Sequence, residues 1–241
     1  MKTIRTILSV AFAAALGGGC SERNGSTGPT ATPTGTLSAD VAAGKTSAVS
    51  DLAGDAGKDA QDYQDIVGAT VTKKGGTFVF VMTLAASVPD NPTLATNWAD
   101  VAHWGVALDM ANTSPAGYPF QKNVARVFDF LIEHRVYRSG FSDPLDATGS
   151  AGILIDRRPL LTGGHAIITP VHFSIAGSTI TWVVDAGALG DPSTFQWSDY
   201  TALSHAGDDL KNGGGYNIEI LDEAPDVSQG EIGRASCRER V

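Results

Sequence analysis

From residue 51 onward, apolar and polar positions alternate with a period of two, the pattern of strands with one buried face. DIVGATVT, the pair Gly75 and Gly76, and TFVFVMTLAA predict a hairpin rich in β-branched and aromatic residues, with Phe78, Phe80, Met82 and Leu84 on one face. HWGVALDM alternates Trp104, Val106 and Leu108. In VARVFDFLIEHRVY the same spacing turns Phe128, Phe130, Ile132 and Val136 inward and sends Asp129, Glu133 and Arg135 to a solvated face. HAIITPVHFSIAGSTITWVV holds two strands joined at Ala176 and Gly177, where glycine permits the positive φ of a tight hairpin. Val171, Phe173 and Ile175 then face Ile180, Trp182 and Val184. TFQWSDYT and GYNIEIL supply two further strands. The stretch LATNWADVA offers at most one short helical turn. Strands without helical crossovers predict an all-β chain: a single antiparallel β-sandwich, jelly-roll-like, over residues 51–230.

The N-terminus has another character. Lys2 and Arg5 precede the apolar run ILSVAFAAAL and then GGGC, the order of an export signal. The run is too short to span a bilayer stably. This stretch resembles a bacterial lipoprotein signal, with residues 1–19 as the cleaved peptide and Cys20 as the acylated first residue of the mature chain. It departs from the usual box in carrying Gly17 where leucine is commonest, with Leu16 one place early. The resemblance implies a membrane hold through lipid on Cys20, and Ser21 in place of aspartate fits sorting to the outer membrane. Residues 20–50, mostly Ser, Thr, Gly, Pro and Ala with few large apolar side chains, bury too little apolar surface to offset their ordering entropy and are expected to form a flexible tether.

The last eleven residues, EIGRASCRERV, break sharply from the acidic domain before them. Back-translated, they resemble the adapter ligated to fragments in short-read DNA sequencing. Residues 231–241 are therefore expected to be an artefact, and Cys237 forms no disulfide with Cys20.

Charge narrows the partners. Leaving out Lys2, Arg5, Arg234, Arg238, Arg240, Glu231 and Glu239 takes the 17 basic and 26 acidic residues to 12 and 24. A domain so acidic has no field to draw nucleic acid or an anionic bilayer.

Over residues 51–226, SDLAGDAGKDAQDYQDIVGATV, VALDMANTSPAGYP, ITWVVDAGALGDPSTFQWSDY and LDEAPD follow the order seen in DOMON-like sandwiches and the related family 9 carbohydrate-binding modules. The resemblance implies a sandwich whose first and last strands are neighbours, and a role in sugar binding, haem binding or adhesion.

Candidate chemistry is sparse. Calcium needs six to eight hard oxygen donors, and acidic clusters lie at both domain ends: Asp51 and Asp55 in DLAGD, Asp222, Glu223 and Asp226 in LDEAPD. If the ends meet, Asp51, Asp55, Asp222 and Asp226 form a metal site; as separate clusters they are solvated turn formers. Asp109, Asn112 and Thr113 suit an Asx turn. His165 and His172, on one strand but opposite faces, do not ligate jointly without a bulge at Pro170, and His134 belongs with the core. Haem held between Met82 or Met110 and His165 or His172 is disfavoured, because Met82 sits in an apolar stripe. No Gly-x-Ser-x-Gly elbow, His-Glu-x-x-His pair or phosphate loop is present, and a carboxylate pair such as Asp109 with Glu133 has nothing to fix its separation. No catalytic role is expected. For sugar, an exposed aromatic platform is needed, and Trp98 and Tyr118 lie in loops where no strand pattern demands burial. The expectation is a lipid-anchored envelope module that binds carbohydrate without catalysis. The alternatives are an envelope protein-interaction or structural lipoprotein, and a haem-binding redox module.

Overall fold

The computed structural model describes residues 37–40, 46–90, 92, 94, 98–110, 118–119, 127–139, 152–205 and 218–225, with backbone alone for 37–40, 118–119 and 127. Among the described residues there are fourteen strands and three short 3-10 turns. Every strand pairing is antiparallel.

The smaller sheet has five strands: β2 (Thr46–Ser50), β3 (Ile66–Lys74), β4 (Thr77–Leu84), β11 (His172–Ala176) and β12 (Thr179–Asp185), in the order β11-β12-β4-β3-β2. β4 shows why alternation specifies a strand here. Phe78, Phe80, Met82 and Leu84 are all but fully buried, and the residues between them are half-buried. Its neighbour β12 repeats the arrangement with Ile180, Trp182 and Val184, and Trp182 lies opposite Phe80 in register. The β11–β12 hairpin turns at Gly177, whose φ of +61° most side chains would resist.

The larger sheet contains β1 (Leu37–Asp40), β5 (Val101–Asp109), β8 (Phe130–Tyr137), β9 (Gly152–Asp156), β10 (Ile167–Pro170), β13 (Thr194–Ser204) and β14 (Ile218–Ala224). Its order is β1-β13-β5-β8-β9-β10, with β14 also paired to β13. A separate two-stranded ribbon joins β6 (Tyr118–Pro119) to β7 (Val127–Phe128). The inner faces of the two large sheets meet over one apolar core that includes Trp104, Trp182, Trp197, Phe78 and Phe80. Phe195 inserts its edge against Phe78, ring centroids 5.4 Å apart at 86°.

Four sequence expectations change. Two strands, β1 and β2, fall inside the segment read as a tether; β2 needs little apolar content because it is an edge strand of alternating, half-buried Ser47 and Val49. The stretch from His165 to Ala176 is two strands in different sheets, not one strand, because the chain crosses the sandwich edge at Val171. His165 therefore precedes β10, and both His165 and His172 are exposed. Phe128 does not face inward with Phe130, since a bend at Asp129 separates β7 from β8 and turns Phe128 to the opposite face of the sheet. Finally, the face carrying Glu133 and Arg135 is not solvated. β5 and β8 are buried on both faces, and a second cluster of Ala107, Phe128, Leu131, Ile153, Ile155, Tyr200, Ala202 and Ile218 covers the outer side of the larger sheet.

Candidate functional site

Three places hold groups able to do chemistry. The first is the outer face of the larger sheet. Register places Tyr200, Gly105 and Glu133 in one cross-strand row on β13, β5 and β8. A Cβ on Gly105 would lie 2.6 Å from Cζ of Tyr200, so the phenol ring rests directly on the glycine and reaches Glu133 beyond it. The Tyr200 hydroxyl donates to Glu133 Oε1, and Arg135 donates to Glu133 Oε2 from Nη2 and from Nε, the latter at 2.6 Å. His103 Nδ1 stands 3.6 Å from the same Oε2, and its Nε2 is 2.7 Å from Ser204 Oγ.

Burial alone would raise the Glu133 pKa, but the Arg135 guanidinium, His103 and the Tyr200 hydroxyl outweigh it and hold the carboxyl well below the usual range. Tyr200 is pushed well above its ordinary value by burial and by the Glu133 charge. Ser204, His103 and Glu133 repeat the hydroxyl, imidazole and carboxylate order of an acyl-transfer site. Ser204, His103 and Glu133 are each 0% exposed, however, and Arg135 already meets the Glu133 charge. The row acts as a buried spine, not as an open site.

The second place is the end of the sandwich where β5 begins and β13 finishes. Trp98 is 36% exposed, and its ring meets the imidazole of His205 edge-on, centroids 5.5 Å apart at 69°. His205 Nδ1 lies 3.2 Å from Asp100 Oδ2. The backbone fixes this group: Asp100 N donates to Ser204 O at 2.8 Å, and Arg138 N donates to Asp100 O at 2.7 Å. At the same end a cleft of about 350 Å³ opens, lined by Val88, Pro89, Asp90, Pro92, His134, Val136, Ile175 and Gly177. That volume is within the roughly 300–1,000 Å³ of small-ligand sites. His134 is set in its wall by stacking on Phe173, centroids 4.3 Å apart at 19°.

Tyr118 lies in the short ribbon strand β6, where its backbone pairs with Phe128; its side chain lies outside the described residues. Met82 is fully buried between the sheets, while His165 and His172 are exposed.

The third place is an edge. The segment before β3 is tied down by Asp51 N to Val67 O at 3.1 Å and Gly57 N to Leu221 O at 2.6 Å. This docks it on the final strand, and the carboxylates of Asp55, Asp65 and Asp222 each bring an oxygen within 4.8 Å of the other two. Asp65 Oδ2 accepts from Gly54 N at 2.6 Å; Asp222 Oδ2 accepts from Ile66 N at 2.5 Å and Oδ1 from Glu223 N at 2.8 Å. Burial, reinforced by the charges of Asp55 and Asp65 and opposed by those backbone donors, raises the Asp222 pKa to about 7. Of the four acids expected from sequence, Asp55 and Asp222 are brought together. Asp51 instead accepts from Leu52 N at 3.0 Å in a local turn and is outside the trio. Asp226 lies outside the described residues, as do Cys20 and residues 231–241. Asp65 was missed: in the sequence it stands directly before the strand beginning at Ile66, and only the pairing of distant strands reveals what it faces.

No family model matches this chain, and none of the curated proteins compared with it matches either.

Proposed function

We propose that this protein is an exported, lipid-tethered module that binds carbohydrate without catalysis, using the end of the sandwich that carries Trp98. The observation behind the reading is the exposed Trp98 ring with Asp100 and His205 beside it, at the same end as the cleft. An aromatic face offers apolar area to sugar C–H groups, and neighbouring carboxylate and imidazole groups supply acceptors and donors for hydroxyls. Tethering rests on the resemblance of residues 1–20 to a lipoprotein signal. Among the described residues no helix is long and apolar enough to cross a membrane. The test is a glycan array probed with the wild-type protein and with Trp98→Ala. Binding by the first and its loss in the second support the reading; an array silent for both contradicts it.

A second reading, protein interaction in the envelope, draws on edge strand β10 and the turn before it. There Ile167 and Leu161 are 56% and 52% exposed. An exposed edge with apolar side chains is a surface for strand pairing. Capture of an envelope protein that is abolished by Ile167→Lys, alongside a silent glycan array, would select it.

A further inference from the structure

The geometry points to a calcium ion held by Asp55, Asp65 and Asp222, clasping the segment before β3 to the last strand of the sandwich. Three carboxylates supply hard oxygen donors, and oxygens within 4.8 Å of one another can share a cation whose bonds are about 2.3–2.6 Å. Neither nitrogen nor sulfur is part of the set, which disfavours zinc.

Proximity of acids alone would not carry this, since exposed acids cluster freely on protein surfaces. The deciding atom is Asp65 Oδ1. Asp65 is only 5% exposed, and this oxygen is buried with no hydrogen-bond partner among the described residues, whereas its Oδ2 is satisfied by Gly54 N. A buried anionic acceptor left unmatched beside two more carboxylates is costly. A divalent cation removes both the unmet acceptor and the mutual repulsion.

The surroundings are also prepared for an ion. The hydrogen bonds of Asp65 and Asp222 come from backbone N–H groups, which orient the carboxylates, and among the described residues no cationic side chain pairs with either. Asp55 is exposed, so an ion has a route in from solvent. Asp222 and Ile66, already joined by a hydrogen bond, are 156 residues apart in sequence. An ion here therefore closes the fold between its beginning and its end.

The test is the melting temperature of the full-length protein with calcium chloride and with chelator, together with calorimetric titration of calcium. At calcium a hundredfold above the dissociation constant, linkage predicts a rise of roughly 5–10 °C. Asp55→Asn, at an exposed position, should keep the chelated melting temperature within about 2 °C of wild type and weaken calcium binding at least tenfold. Asp65→Asn should abolish the heat of binding, with far-ultraviolet circular dichroism reporting that it is folded. Magnesium, which prefers bonds of about 2.0–2.1 Å, should give the smaller shift. No heat and no thermal shift in the wild type would overturn the proposal, as would unchanged calcium binding in Asp55→Asn.

Discussion

The hydroxyl of Tyr200 donates to Glu133 across Gly105, joining three neighbouring strands through side chains that are fully buried. Two substitutions separate its parts. Tyr200→Phe removes one donor from a buried carboxylate and should cost about 1–3 kcal/mol. Gly105→Ala leaves the hydrogen-bonding groups in place but drives a Cβ to 2.6 Å from Cζ of the ring, within the sum of van der Waals radii. Overpacking of that kind costs about 1–3 kcal/mol. Urea denaturation of each variant, at constant slope, measures both losses, and the double variant should lose less than their sum because both act on one contact.

The acid limb of the stability curve depends on Glu133. Its pKa is held below the unfolded value by Arg135, His103 and Tyr200, so it adds stability above about pH 4.3 and that contribution is lost as pH falls further. Glu133→Gln should flatten this limb and, at neutral pH, cost about 3–5 kcal/mol by breaking the buried ion pair with Arg135. Melting temperatures from pH 2 to 7 distinguish this from a simple packing loss, which would be independent of pH.

Asp199 acts in the opposite direction. It lies on β13, 1% exposed, with both carboxylate oxygens lacking a partner among the described residues. Burial raises its pKa well above the ordinary value, so the folded protein keeps a proton that the unfolded chain releases above about pH 3.9. Its stabilising contribution is present below that pH and is lost as pH rises toward the folded value. Asp199→Asn cannot ionise, and should gain stability over wild type at pH 8 relative to pH 4.5. An equal difference between the two proteins at both pH values would contradict this.

The inner core was readable from sequence because a sandwich repeats one instruction: every second residue on β4, β5 and β12 is apolar and buried. The outer face of the larger sheet was not. Alternation distinguishes one face from the other but does not report whether the polar face meets water or another layer, so Asp129, Glu133 and Arg135 looked like surface residues. Edge strands β1 and β2 were hidden for a related reason, since an edge tolerates the Ser, Thr and Ala that also compose a tether. Asp55 and Asp222 stand out in the sequence because acidic clusters lie at both ends of the domain. Asp65 required the actual register, in which β3 starts beside the bulge between Thr201 and Ala202 that accommodates β14.

The central claim is that sugar meets the protein at Trp98, and the protein's own fluorescence can test it. Of the four tryptophans, Trp104, Trp182 and Trp197 are 0% exposed, which leaves Trp98 as the ring within reach of an aqueous quencher. Iodide quenching should be measured while oligosaccharides selected on the glycan array are titrated in. The account predicts that a binding oligosaccharide shields this fluorescence from iodide, with an affinity that falls at least tenfold in Trp98→Ala. An oligosaccharide that binds as tightly to Trp98→Ala and leaves iodide quenching of the wild type unchanged would contradict it.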